Sequence, residues 1–349
     1  TTLFRSIALA NGNNVLTLGS SVETLTAGSG DDTIVLSSTV ANMRMDLGTG
    51  ADNLTLANGS NVLTLSNIET VTGNSGVDQI TLLTTTTGGL FNLGTGSADK
   101  LVLANGINTA TTTGVETITG GTGTDTLTLA DASTAGVIDL GAGSDLLNLG
   151  NFANTLTVKN TESIVGNAGA DTVALGNSVT GAQIDLAGGT DILTLFDSPN
   201  CLTITGAETV IGDSGADTVT LATSVTALEA NLGAGVDTLV LANGGNTVNA
   251  TGIETITGNG GNDVITFGAG VTGVGAGTAG GAGSASATEC NNAIASIAAG
   301  GWTIAVRCVY PESSSALLCV GDGTNQQMTI YLSGGLTFYI RYGPYAGDT

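Results

Sequence analysis

Apolar and polar residues alternate in short bursts along most of the first 267 residues, as in Thr33-Ile34-Val35-Leu36, Asn53-Leu54-Thr55-Leu56 and Thr126-Leu127-Thr128-Leu129. Period-2 alternation places the apolar side chains on one face of a strand and Thr or Asn on the other. The bursts are centred eight to eleven residues apart, which leaves no room for helices or long crossovers. Between them stand turns rich in Gly, Asn and Asp, the residues that accept or enforce tight backbone geometry.

One strand–turn–strand sentence recurs. Val22-Glu23 leads to Asp32, Ile68-Glu69 to Asp78, Val115-Glu116 to Asp125, Thr161-Glu162 to Asp171, Ala207-Glu208 to Asp217, and Ile253-Glu254 to Asp263. The glutamates are 46, 47, 46, 46 and 46 residues apart, a fixed period that signals a repeat architecture. A second turn of related type, such as Leu47-Gly-Thr-Gly-Ala-Asp52 or Leu140-Gly-Ala-Gly-Ser-Asp145, lies inside each period. A unit this small cannot bury its apolar face alone, but stacked copies share a continuous core. The pattern therefore predicts an all-β chain, a parallel β-solenoid of 46-residue repeats over residues 1–267. A single 46-residue coil would enclose too wide a lumen for Leu, Ile and Val to fill. Two coils of about 23 residues per period, ten or eleven in all, are expected on that ground.

Composition agrees. Fifty-five Gly supply turns, abundant Thr, Val, Ile and Leu supply strands, and the aromatic content of 3% is unlike that of a globular enzyme. Net charge is −23 with only six basic residues, which argues against nucleic acid and anionic membrane surfaces as partners and for cations. No apolar run approaches the roughly 18 residues that span a bilayer, so no membrane insertion is expected. There is no histidine, which removes imidazole bases, His-based triads and His-ligated zinc.

After Phe267 the pattern changes. Residues 268–287 are Gly, Ala, Ser and Thr without Asp, a linker or a last coil. Residues 288–349 hold all five Tyr, Trp302 and three of the four cysteines, Cys290, Cys308 and Cys319, the fourth being Cys201. The stretches beginning at Trp302, Ala316, Met328 and Leu336 read as successive strands of a small or truncated antiparallel module.

The turns Gly120-Gly-Thr-Gly-Thr-Asp125-Thr-Leu and Gly28-Ser-Gly-Asp-Asp32-Thr-Ile resemble the Gly-Gly-x-Gly-x-Asp repeat of RTX-type β-rolls. The resemblance spans residues 10–267. It implies Ca²⁺ held by stacked turns through Asp32, Asp52, Asp78, Asp99, Asp125, Asp145, Asp171, Asp191, Asp217, Asp237 and Asp263. Here the turns recur every 20–26 residues rather than as tandem nonapeptides. The alternative reading of the same aspartates is structural, as caps on turn N–H groups. If all eleven formed one column, neighbours about 5 Å apart would repel by about 1 kcal/mol per pair even in water, a penalty bound cations would reverse. The glutamates read as solvated strand edges, and the series Asn14, Asn61, Asn108, Asn154, Asn200 and Asn246 as stacked amides. The C-terminal piece, through Gly301-Trp-Thr-Ile-Ala-Val and Gly335-Leu-Thr-Phe-Tyr-Ile, resembles the opening strands of a laminin-G/concanavalin-like module.

Acids that recur at every period do not describe an active site, which should be a local exception to a repeat. Asp131, Asp197, Asp213, Glu229 and Glu312 are such exceptions, without evident partners. The sequence therefore points to a non-enzymatic shaft of an extracellular fibre or virion appendage of phage-fibre type. Such a shaft would be homo-oligomeric and would present a C-terminal adhesion module to a host-surface glycan or protein. A secreted bacterial RTX-type adhesin or surface-layer protein is the alternative, and a polysaccharide-degrading β-helix enzyme the distant one.

Overall fold

The structure is a computed structural model that describes residues 5–268 in full. Beyond them it describes the backbone of Gly273–Ala276, Ser284–Ala287, Ile294–Ser296, Leu317–Gly321, Gln326–Ser333 and Thr337–Pro344. The chain divides into two compact units, Thr1–Phe196 and Asp197–Thr349. In each, successive strands alternate between two parallel sheets, so two strands and two turns make one coil. In the first unit Thr24–Thr26, Met43–Asp46, Val62–Ser66, Gln79–Leu82 and Lys100–Val102 are neighbours in one sheet. Thr33–Leu36, Asn53–Thr55, Thr70–Asn74 and Thr87–Gly94 are neighbours in the other. In the second unit Cys201–Thr205, Thr218–Leu221, Thr238–Val240 and Thr255–Gly258 lie in one sheet, and Thr209–Ile211, Leu228–Asn231, Thr247–Thr251 and Val264–Phe267 in the other. This is the parallel β-solenoid that the alternation predicts.

The coil is smaller than expected. Thr24 pairs with Arg44, Thr64 with Thr81, and Thr81 with Val102, steps of 20, 17 and 21 residues rather than about 23. Ten coils stand between Ser6 and Asp185 alone, twenty strands taken two at a time. The reason lies in the 26-residue intervals between aspartates, which are not long coils but one and a half short ones. Asp32 to Asp52 contains two strands, Thr33–Leu36 and Met43–Asp46. Asp52 to Asp78 contains three, Asn53–Thr55, Val62–Ser66 and Thr70–Asn74. Each 46-residue repeat thus comprises five strands, an odd number on a two-sided coil.

Alternation sets the core. In Thr126–Leu129, Leu127 and Leu129 are buried while Thr126 and Thr128 are half-buried on the outer face. Ile80, Leu101 and Ile118 stack in register on three consecutive coils, each wholly buried. Burial of this kind contributes about 1.5–3 kcal/mol per side chain. The buried ring of Phe91 is matched by smaller neighbours in register, Val71 and Thr112. Two residues before each of five repeat glutamates the backbone turns left-handed, at Asn67, Gly114, Asn160, Gly206 and Gly252, with φ between 48° and 71°. Only Gly, and less readily Asn, adopts this conformation without steric cost, hence the Gly/Asn-x-Glu signature.

In the second unit Gly273–Ala276 pairs with Thr255–Gly258, and Ser284–Ala287 with Val264–Phe267, both parallel. Leu317–Gly321, Gln326–Ser333 and Thr337–Pro344 form an antiparallel meander. The strand expected from Trp302, the cysteines Cys290 and Cys308, the side chain of Cys319 and the laminin-G-like resemblance lie outside the described residues. Cys201 is an exposed free thiol.

Candidate metal centre

Each strand is entered through an anchor residue, and anchors recur about every nine residues along the chain, on alternate edges of the coil. Read along the chain, the anchors from residue 61 are Asn61, Glu69, Asp78, Thr86, Asp99, Asn108 and Glu116. Read up one edge, they become Asn61, Asp78, Asp99 and Glu116, then the spacer Ser133. The same file, Asn–Asp–Asp–Glu, stands at Asn14–Asp32–Asp52–Glu69 and Asn108–Asp125–Asp145–Glu162 in the first unit, and at Asn200–Asp217–Asp237–Glu254 in the second.

The bonding within a file is uniform. The backbone N–H and side-chain Nδ2 of Asn61 both donate to Asp78 Oδ1, at 2.9 and 2.8 Å. The Asp78 N–H donates to Asp99 Oδ1 at 2.6 Å, and the Asp99 N–H to Glu116 Oε2 at 2.7 Å. Each acid therefore caps the strand entry of the coil before it. The longer Glu arm reaches from a partly exposed position, whereas the aspartates are buried, at most 2% exposed. The glycines preceding an Asp leave space for its carboxylate. A Cβ on Gly143 would lie 2.8 Å from Asp145 Oδ1, and one on Gly235 3.1 Å from Asp237 Oδ1.

In nine of the aspartates one carboxylate oxygen is satisfied and the other is not. Oδ2 of Asp32, Asp52, Asp78, Asp99, Asp125, Asp145, Asp171, Asp217 and Asp237 is buried without a hydrogen-bond partner. Burial pushes the carboxyls of Asp52, Asp99 and Asp145 up to about 6, and the neighbouring acids of the file push the same way against the pull of the donated backbone N–H. Asp78, Asp171 and Asp217 are raised by burial and partly restrained by the amide of their asparagine. Asp237 is raised by burial, against the Asp217 N–H and with Asp217 and Glu254 adding to the rise.

The aspartates neither share one column nor sort by turn type onto separate edges. Asp32 and Asp52 are adjacent on one edge, Asp78 and Asp99 on the other, and Asp125 and Asp145 on the first again. Asp171 and Asp191 follow in the first unit, Asp217 and Asp237 in the second, where Asp263 accepts from Asn246. The glutamates of the four files are not merely solvated edge residues, since each holds an aspartate N–H. Glu23 instead pairs with Arg5 at 2.7 Å. Nor do the asparagines stack on one another, because each heads a separate file. The four series share a period of 46, which signalled this grouping, but the half-coil offset hid which members were neighbours. Three of the five exceptional acids have local tasks. Asp131 accepts the Gly114 N–H at 2.9 Å, Asp197 the Ser214 hydroxyl, and Glu229 the Asn249 amide, while Glu312 lies outside the described residues.

The sequence model of the RTX calcium-binding nonapeptide repeat matches in four copies, at residues 10–35, 111–131, 203–221 and 251–271. The chain carries RTX calcium-binding repeats. Each matched copy contains a repeat glutamate and the aspartate that follows it, Glu23/Asp32, Glu116/Asp125, Glu208/Asp217 and Glu254/Asp263. Comparison with curated proteins finds no match. Calcium is the ion of the RTX repeat, and proteins with such repeats are typically secreted or surface-associated, which is an extracellular setting. No helix among the described residues is long and apolar enough to cross a membrane.

The files suit a hard divalent cation in one respect above all, their row of buried carboxylate oxygens with no proton donor. Ca²⁺ takes six to eight oxygen ligands from carboxylates, backbone carbonyls and water. Among the described residues no three acidic side chains converge on one point. The aspartates of a file and its glutamate are the side chains that would hold such an ion, supplying carboxylate oxygens to it.

Proposed function

We propose that this chain is a non-enzymatic shaft of an extracellular fibre or virion appendage, its coils braced by Ca²⁺ at the eleven aspartates from Asp32 to Asp263. The observation that carries this reading is the buried, unpartnered Oδ2 repeated coil after coil. Adjacent carboxylates one strand spacing apart repel by about 1 kcal/mol even at the dielectric of water, and by more when buried. A cation between them reverses that sign at every step, so the ion acts as a distributed brace rather than a local reaction centre. In this reading the shaft assembles with copies of itself, and the strands after Leu317 belong to the part that meets a host-surface glycan or protein.

The test is thermal unfolding followed by circular dichroism in millimolar Ca²⁺ and in EGTA. A ligand of the folded state raises the midpoint by mass action, so the midpoint should fall in EGTA. An unchanged midpoint would leave the aspartates as strand caps and end the calcium bracing. The matched RTX repeats also suit a secreted adhesin or surface-layer protein. Complete loss of β signal in EGTA would favour that reading over a self-sufficient shaft, and release of oligosaccharides from a host glycan would overturn the non-enzymatic assignment.

A further inference from the structure

The asparagine at the head of a file solves the problem that its aspartates leave open. Asn61 Nδ2 meets three oxygens at once, Ala57 O at 2.9 Å, Gly59 O at 2.8 Å and Asp78 Oδ1 at 2.8 Å. The same trio surrounds Asn14 (Ala10 O 3.0 Å, Gly12 O 2.6 Å, Asp32 Oδ1 2.7 Å) and Asn108 (Ala104 O 2.9 Å, Gly106 O 2.9 Å, Asp125 Oδ1 2.8 Å). It recurs at Asn246, with Ala242 O, Gly244 O and Asp263 Oδ1 at 2.9, 3.0 and 2.8 Å. Two turn carbonyls and one carboxylate thus converge on a single amide nitrogen, whose two protons are shared among the three acceptors.

The other half of the amide fixes the comparison with aspartate. Asn61 Oδ1 accepts the Val40 N–H, and Asn108 Oδ1 the Thr86 N–H, just as Asp99 Oδ1 accepts the Asp78 N–H. Asn and Asp therefore dock in the same orientation, and Asp Oδ2 takes the station of Asn Nδ2. At that station Oδ2 of Asp32, Asp52, Asp78, Asp99, Asp125, Asp145, Asp171, Asp217 and Asp237 has no hydrogen-bond partner, and an ionised carboxylate has no proton to offer its surroundings.

We infer that each of these asparagine amides takes the place of a cation, so that divalent ions are held only along the Asp–Asp–Glu part of a file and the ion series is broken at every asparagine. The glutamate, whose Oε2 closes the last step, becomes the outermost ligand-bearing member. The spacer beyond Glu69 is Thr86 and that beyond Glu116 is Ser133; neither carries a carboxylate, so these two files are closed segments. The inference rests on the calcium reading above but makes a separate claim, about which turns need the ion.

The test exchanges the two residue types in the full chain, with Ca²⁺ alone as the probe. Isothermal titration should count one additional Ca²⁺ per chain in Asn108→Asp, and the melting midpoint of that variant should fall further in EGTA than the parent's. Asp99→Asn should bind one ion fewer and lose less of its midpoint in EGTA. Should Asn108→Asp fail to fold even with Ca²⁺, the ion count and EGTA response of Asp99→Asn decide alone. Ion counts and EGTA responses equal to the parent's in the variants that fold would overturn the inference while leaving the calcium reading intact. A parent chain that binds no Ca²⁺ would remove both.

Discussion

A buried carboxylate whose proton is held more tightly in the folded than in the unfolded chain gives stability a particular pH dependence. Asp52, Asp99 and Asp145 are pushed up to about 6 from an ordinary 3.8, chiefly by burial. Because the folded value is the higher one, their stabilising contribution is complete below about pH 4 and is lost as pH rises through about 6. Without divalent ions the chain should therefore melt at a higher temperature near pH 5 than near pH 7.5. Saturating Ca²⁺ should shrink the difference, because the ion then does what the proton does. Calorimetric scans at the two pH values in EGTA check this, and a lower midpoint at pH 5 would contradict it. Glycine acts at the same scale. Gly123 has φ +129°, and a Cβ there would lie 2.6 Å from the Gly106 carbonyl, so the Gly-x-Asp spacing follows from turn stacking as much as from any ligand.

Strands carry the energy of the fold through their inward residues. Leu101 is wholly buried between Ile80 and Ile118 on the coils to either side, so Leu101→Ala should cost about 2–5 kcal/mol in chemical denaturation, the usual range for a buried leucine whose site cannot collapse. A loss well under 1 kcal/mol would mean that coils behave as independent units. Strand positions and inward faces were legible in the sequence because alternation is a local signal, as in Thr126-Leu127-Thr128-Leu129, buried where apolar. The aspartate series was legible too, as a repeated turn residue. The coil length was not, since a strand such as Val62–Ser66 resembles its neighbours and nothing local marks it as a half coil. The roles of Asn61 and Glu116 escaped for a related reason. Their partners Asp78 and Asp99 lie seventeen residues away, and it is the winding that makes them neighbours.

At the scale of the molecule, five strands per repeat on a two-sided coil couple length to direction. Glu69 heads a strand of one sheet and Glu116 the corresponding strand of the other. Removing residues 70–116 joins Glu69 directly to Thr117, and every file can re-form because like replaces like. Thr119 would then occupy the place of Thr72, beside Thr55, instead of its own place beside Val102. Cysteines substituted for Thr55 and Thr119 should consequently cross-link in the shortened chain, where adjacent strands bring Cα atoms within disulfide reach, and not in the parent. Absence of the cross-link in a folded shortened chain would rule this register out. The repeat count of such a scaffold thus carries parity as well as reach. One duplication delivers the next segment to the opposite side of the stack and two return it, so a lineage that gains or loses single repeats re-aims what it presents without altering one surface residue.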